Sequence, residues 1–495
     1  MKPMDRRRFL LLAAATTASL KTFAQSAPVS TAKLTYTGGS GPAIPENFVG
    51  LSYETQQLHD PAFFSASNTG LIAQFRDLAP NGVLRIGGNT SDVGWWKPTP
   101  ESTQPPLPPS VVIVPPRPDE QPFQKLAYSI TPEAVRNLRA FLDVTGWTCL
   151  YGINLGTNTP ALAAEQAVFV AKTLGPKLEY FQVGNEPDGF PGRFREKAKW
   201  NADAYLDEWL AATAAIRARV PDAKFGLPDV AGATQWLAPI ADRLSALKDG
   251  PTIAALSHHY YFTGPPSNPK ATIDALLHPE ARVTSHAEQA RTAAEKLHTR
   301  FRMTEGNTCY RGGKPGFSDI FAASLWAADY TLHLASLGYA GVNLHGGSGK
   351  AVADSLGGTL PGELLMPDPK APHPRPFYTP IAEIDGKYIA EPVFFGLKFA
   401  QAFAGATFAP TDFDPGDVNA TAYAATLPSS QKIIAIINKD EAKPLPISFP
   451  GFTGSLVLHA QSLTSTRVEL TEPAGLREIN SVPPFTAVLL ANTRD

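Results

Sequence analysis

Two carboxylates stand out by position and context. Asn185-Glu186-Pro187 and Thr304-Glu305-Gly306-Asn307 each close a short β-rich run, 119 residues apart. A pair of carboxyl groups, one held protonated and one ionised, can cleave a glycosidic bond: the acid donates to the leaving oxygen while the carboxylate attacks the anomeric carbon from the other side. Mutual repulsion helps to raise one of the two pKa values. On this reading Glu186 and Glu305 are the acid/base and nucleophile pair, in either order, and Asn185 is placed to hydrogen-bond a sugar hydroxyl beside the reacting carbon.

Such a pair works only if two distant segments deliver it to one rim. Eight β-rich runs alternate with helical stretches: Phe48 to Thr55, Val83 to Thr90, Thr148 to Gly156, Tyr180 to Pro187, Phe225 to Gly232, Ile253 to Phe262, Phe301 to Asn307 and Gly341 to Gly347. Several begin apolar and end polar or glycine-rich, as in VLRIGGNTSD, FQVGNEPDG and RMTEGN. Strands that enter a buried parallel sheet and present function at their C-terminal ends read this way, so the economical fold is α/β, a (β/α)8 TIM barrel. Helices are expected at Ala202 to Arg219 and at Ser318 to Leu337, the latter opened by Ser318-Asp319 as a cap. Two connections are unusually long, Lys97 to Gln124 with ten prolines and Ser348 to Tyr378; both fall at the functional end and are candidates for pocket walls.

After a helical Phe394 to Phe403 the period changes to short alternating strands: Ala422 to Leu427, Lys432 to Asn438, Leu445 to Phe449, Ser455 to His459 and Pro484 to Ala491. These make a C-terminal β-sandwich, joined by the early segment Ala32 to Tyr36. The chain then divides into 1–24 as an export signal, 25–45 pairing with the sandwich, 46–403 as the barrel and 404–495 as the sandwich.

The barrel context singles out further polar residues. Glu54 follows the first strand and Asn89 the second. His258 and Tyr260 share one face of the sixth by the two-residue alternation of a strand. Tyr260 is placed to donate to the nucleophile, and Arg85 to support the carboxylates from beneath.

These motifs resemble a known family. Val83-Leu84-Arg85-Ile86-Gly87-Gly88-Asn89, Gly184-Asn185-Glu186-Pro187, His258-His259-Tyr260-Tyr261, and Glu305 followed by Tyr310-Arg311-Gly312-Gly313 and Ser318-Asp319-Ile320-Phe321 are similar to family 79 of the glycoside hydrolases, which holds bacterial β-glucuronidases and heparanases. The resemblance spans nearly all of the chain after the export signal. It implies a retaining mechanism without metal or other cofactor, with Glu186 as general acid/base and Glu305 as nucleophile, and a uronic acid carboxylate bound by the segment Tyr310 to Gly312, with help from Tyr378. It also implies sugar hydroxyls contacted by Glu54, Asn89 and Asn185. Glycines there allow close backbone approach, and their N–H groups can cradle an anion. Arg311 departs from the heparanase pattern, which has another glycine.

Composition narrows the partners. Lys2, Arg6, Arg7 and Arg8 precede an apolar stretch from Phe9 to Leu20 and a small-residue exit at Thr22-Phe23-Ala24, which reads as a signal of twin-arginine type leading to a periplasmic or secreted protein. Its removal takes away five positive charges and one negative, moving the net charge from -2 to about -6. That balance disfavours nucleic acid, and it disfavours a heavily sulfated polymer, which needs a basic track. No later apolar run is long enough for a membrane span. Cys149 and Cys309 have no CxxC or His-rich surroundings, so they read as buried thiols rather than metal ligands. The favoured substrate is a terminal β-linked glucuronic acid on a glycan or glucuronide. An endo-acting heparanase-like enzyme, a related glycosidase for a neutral sugar and a non-catalytic glycan-binding protein remain as alternatives.

Overall fold

The computed structural model describes residues 31–112, 127–356, 358, 360–367, 375–473 and 478–492. The segment 1–24, expected to be an export signal, and residues 113–126 of the proline-rich connection lie outside them. Eight parallel strands close into a barrel: β1 Val49–Glu54, β2 Val83–Gly87, β3 Thr148–Ile153, β4 Leu178–Val183, β5 Lys224–Val230, β6 Thr252–Thr263, β7 Arg300–Cys309 and β8 Val342–Gly346. Each is followed by a helix: α1 Thr69–Leu78, α2 Pro132–Thr145, α3 Pro160–Leu174, α4 Ala202–Arg217, α5 Leu237–Ser245, α6 Ala281–Lys296, α7 Phe321–Ser336 and α8 Pro392–Ala400. The strands carry near-continuous apolar runs because both faces are buried, one against helices and one inside the barrel. Thr131 and Thr159 cap α2 and α3 with Pro132 and Pro160 at the first helical position, pairing a side-chain acceptor with a residue that has no N–H to satisfy.

The expected cap of α7 is not the one used. The helix starts at Phe321, three residues later than anticipated, and Ser318 instead accepts from the Lys314 N–H at 2.9 Å while Asp319 accepts from Gly316 at 2.7 Å. The free N–H groups of α7 are satisfied from outside the barrel: Phe321 and Ala322 donate to the carbonyls of Ser465 and Leu463. Tertiary contact has replaced the local cap.

Those carbonyls belong to the C-terminal region. Its main sheet has six antiparallel strands, β9 Thr407–Ala409, β10 Ala420–Thr426, β11 Lys432–Asn438, β12 Phe452–His459, β13 Glu469–Thr471 and β14 Thr486–Asn492, in the order β9-β10-β11-β14-β12-β13. Over it lie two short ribbons, Lys33–Tyr36 with Thr411–Asp414 and Leu445–Pro446 with Ser481–Val482. β11 reads KIIAIIN because Ile434 and Ile436 face the ribbons while Ile433, Ala435 and Ile437 join the core shared with the barrel. Asp329 of α7 fixes the junction. It pairs with Lys439 at 2.5 Å and accepts from Thr421 and Tyr423, each at 2.7 Å. Both cysteines are buried and free.

Candidate active site

The mouth of the barrel gathers charge around one buried guanidinium. Arg85 points inward from β2 with no solvent exposure. It donates to Glu305 at 2.7 Å, to Asp229 and Asn185 at 2.6 Å each, and to Ser52 at 2.9 Å. Of the two glutamates that Arg85 was expected to support, it bonds to Glu305; its other carboxylate partner is Asp229. A carboxylate oxygen of Glu186, one of Glu305 and a ring nitrogen of His259 all lie within 4.8 Å of one another. The two glutamates therefore meet across the rim at close to the spacing of a retaining pair, about 5 to 5.5 Å.

The two carboxylates have different surroundings. Glu305 accepts from the Tyr261 hydroxyl at 2.9 Å and stands 3.8 Å from His345. Burial pushes its pKa up, but His345, His259, Arg85 and the Tyr261 hydrogen bond outweigh this and hold it at about 2. Glu186 is half-buried and meets His259 Nδ1 at 3.0 Å. It adopts a left-handed backbone at φ 47°, an uncommon conformation for a residue with a side chain, and its N–H donates to the carbonyl of Asp229, which is left-handed too at φ 56°. Conformations of this kind persist only where neighbours hold them in place.

Those neighbours are acidic residues on adjoining strand ends. Asp188 accepts from the N–H groups of Ala231, Gly232 and Ala233, tying the β4 end to the β5 end. Asp92 accepts from Leu155, Gly156 and Asn185 at 2.9 Å each, which fixes Asn185 from the β2 side. Burial raises Asp92 to about 6 against those three hydrogen bonds. Asn185 is buried, and its Nδ2 has no partner among the described residues, although its oxygen is held by Arg85. An unpaired amide donor of this kind fits a sugar hydroxyl.

His259 sits between the acids. Its Nε2 lies 3.4 Å from Asp229 and 3.3 Å from Arg85. Burial pushes its pKa down, yet Glu305, Asp229 and the hydrogen bonds to Asp229 and Glu186 carry it up to about 10. Asp229 itself is held well below the usual carboxylate range: burial opposes this, but Arg85, His259 and the Thr304 hydroxyl prevail.

Of the residues singled out from sequence, Glu54 is buried, accepts from the Thr90 N–H and hydroxyl, and is 3.5 Å from His345. Gly88 is needed beside it: at φ 75°, a Cβ there would meet the Glu54 carboxylate at 2.4 Å. Asn89 accepts from Arg193 at 2.6 Å. Tyr378 packs against Tyr261 and His345, at ring separations of 6.3 and 5.9 Å. Tyr310 is exposed at the rim, edge-on to Tyr261. Arg311, Gly312 and Gly313 are all left-handed, and the Gly312 carbonyl accepts from Phe377, joining the loops after β7 and β8.

Two residues are corrections. His258 and Tyr260 do face the same way, but outward, into the layer between barrel and helices. His258 meets the Tyr339 hydroxyl at 2.7 Å, and Tyr260 donates to Glu280. His259 and Tyr261 occupy the inward positions. The signal was upstream in the strand: Leu256 has the parity of His258 and Tyr260, and a large aliphatic residue belongs against helices, whereas Ser257 has the parity of the interior.

The fold and site define a (β/α)8 barrel with a close carboxylate pair at its C-terminal mouth and a β-sandwich at its flank. No protein-family model matches the chain. Over 314 residues it is 28% identical to a β-glucuronidase of Aspergillus niger, a stretch covering 59% of this chain and 55% of that protein. Over 339 residues it is 26% identical to a β-glucuronidase of Neurospora crassa, covering 59% and 58%. The chain thus spans little more than half the length of the curated relatives it matches. Among solved structures, a 4-O-α-L-rhamnosyl-β-D-glucuronidase of Fusarium oxysporum superposes with a TM-score of 0.65 at 18% identity, covering 94% of this chain and 99% of that one. An arabinofuranosidase of Xanthomonas axonopodis pv. citri gives 0.62 at 14%, covering 93% and 100%. At these identities the likeness is one of fold. No helix among the described residues is long and apolar enough to cross a membrane.

Proposed function

We propose that the chain is a retaining β-glucuronidase of the family 79 type, removing a terminal β-linked glucuronic acid. The observation that carries this is the proximity of Glu186 and Glu305 in unlike surroundings. Glu305, kept ionised, attacks the anomeric carbon and forms a C–O bond to it. The glycosidic bond breaks, and the proton of Glu186 goes to the leaving oxygen. Water then gives a proton to Glu186 and its oxygen to the anomeric carbon. The bond to Glu305 breaks, returning its carboxylate. Arg85 and Tyr261 hold the attacking group, and Asn185 Nδ2 stabilises the hydroxyl next to the reacting centre.

Two β-glucuronidase relatives support the choice of sugar. The glycine turn at Gly312-Gly313 and the hydroxyls of Tyr310 and Tyr378, which both pack against Tyr261, supply donors of the kind a uronate carboxylate takes. The charged and then apolar opening of the sequence supports action outside the cytoplasm. The test is kcat/KM on an aryl β-glucuronide beside the matched aryl β-glucoside, with Glu305→Gln as control. A strong preference for glucuronide, abolished in the variant, is expected. Activity on the glucoside alone sinks the uronate assignment while keeping the carboxylate pair, and activity on neither sinks both.

A further inference from the structure

We propose that Asp229 is a positioning residue that keeps His259 doubly protonated through the whole catalytic cycle, so that Glu186 faces a fixed positive charge while water releases the sugar from Glu305. The proposal rests on the reading of Glu186 and Glu305 given above and concerns a residue that touches neither substrate nor water.

Three carboxylates act on His259. Glu186 is 3.0 Å from Nδ1, Asp229 is 3.4 Å from Nε2, and Glu305 lies within 4.8 Å. Two of these change during the reaction. Glu186 gives up and regains a proton, and Glu305 loses its charge when it is esterified to the sugar. Asp229 does neither, because it is sealed beneath the site with no solvent exposure.

The other groups facing the imidazole make the loss of Glu305 costly. Arg85 stands 3.3 Å from Nε2 and disfavours a second cation, while its own carboxylate partners are Asp229 and Glu305. His345 Nδ1 lies 3.8 Å from Glu305, and His258, on the far face of β6, is held neutral by its burial. Of the influences that raise His259 against its burial, Glu305 is the largest and Asp229 the next. In the glycosyl-enzyme, Asp229 is, among the described residues, the permanent anion left in contact with both Arg85 and His259.

Its placement is rigid. Its N–H donates to Ser257 at 3.2 Å, its carbonyl accepts from Glu186 at 2.9 Å, and its second oxygen accepts from Thr304. One short segment therefore holds the backbone of Glu186 and the charge of its neighbour together.

Asp229→Asn keeps the shape, but its amide can donate to Nε2 and so stabilises a neutral imidazole. With 2,4-dinitrophenyl β-glucuronide, whose leaving group needs little acid help, release of the sugar limits turnover. The variant should then lose about 10²-fold in kcat with KM falling in parallel, so that kcat/KM changes little. The basic limb of kcat should move toward neutral pH while that of kcat/KM stays. Equal losses in kcat and kcat/KM with unmoved limbs would mark Asp229 as merely structural and overturn the proposal.

The ¹⁵N resonances of His259 give a readout that needs no turnover. They should report imidazolium at pH 8 in the wild type and neutral imidazole in Asp229→Asn; imidazolium in both overturns the proposal. If the variant does not fold, the wild type trapped with a 2-fluoro-glucuronide decides. Imidazolium at pH 8 in the trapped enzyme is expected, and a neutral ring refutes the role given to Asp229. A wild type that is neither active on the glucuronide nor trapped by it overturns the functional reading, while the resonances of the free variant still test the link from Asp229 to His259.

Discussion

His258 and His259 are neighbours on one strand, and the fold treats them as opposites. His259 enters the mouth of the barrel, where Glu305, Asp229 and Glu186 raise it to about 10 despite its burial. His258 enters the shell between barrel and helices, where burial dominates and lowers it to about 3. Both are buried to the same degree, so burial alone does not explain the difference. The difference is whether the space on that side of the strand contains carboxylates. The same division separates Tyr261, which bonds to the nucleophile, from Tyr260, which bonds to Glu280. The inside of this barrel is an electrostatic site and its shell is a packed core.

The sharpest way to break this comparison is to remove each histidine in turn. His259→Gln should lower kcat by about 10²- to 10³-fold, because it removes the cation beside Glu186 and perturbs acid/base transfer. His258→Gln should leave kcat within about threefold and act on stability alone, by roughly 1 to 3 kcal/mol, as its bond to Tyr339 is remade imperfectly. Steady-state kinetics paired with urea unfolding of both variants checks this. Equal kinetic effects would mean that the two faces of β6 are not functionally distinct.

The tyrosines give a smaller contrast. Tyr261→Phe removes one hydrogen bond to the ionised Glu305 and should cost about 10- to 150-fold in kcat/KM, in line with the roughly 1.5 to 3 kcal/mol of a hydrogen bond to a charged group. Tyr260→Phe should leave kcat/KM unchanged. If Tyr260→Phe were the slower enzyme, the outward assignment of that side chain would be wrong.

Much of this arrangement was legible before any coordinates. The eight strands announced themselves because a parallel sheet buried on both faces needs apolar runs such as VLRIG and TCLYGI. Glu186 and Glu305 announced themselves by closing two of those runs. The inward face of β6 was harder to read, since SHHYYF offers a histidine and a tyrosine to each side, and the direction is fixed only by Leu256 against Ser257 at its start. Asp229 was missed for another reason. Its importance comes from Arg85, His259 and Thr304, which reach it from three other segments, and no pattern local to LPDV records them. The cap of α7 failed likewise, because a helix start can be satisfied by carbonyls 141 and 144 residues away in the chain. Periodicity reports what one segment buries, whereas a site is made by what several segments share.

The comparison has a thermodynamic edge that pH can read. His259 has a folded pKa raised above its unfolded value, so its contribution to stability is complete below about pH 6.5 and is lost as the pH climbs through about 10. His258 has a folded pKa depressed to about 3. Between about pH 6.5 and 3 the unfolded chain binds a proton there that the folded protein refuses, so this residue makes the protein less stable as the pH falls. One proton corresponds to a slope of about 1.4 kcal/mol per pH unit. His258→Gln should therefore flatten the decline of unfolding free energy between pH 6 and 5 by close to that amount, since Glu305 and Asp229, with depressed pKa values, begin to lose their contributions only below about pH 4.5. The check is urea unfolding at pH 7, 6 and 5 for wild type and variant. An unchanged slope would mean that His258 takes up its proton in the folded state, and that the shell of the barrel is less forbidding to charge than its packing implies.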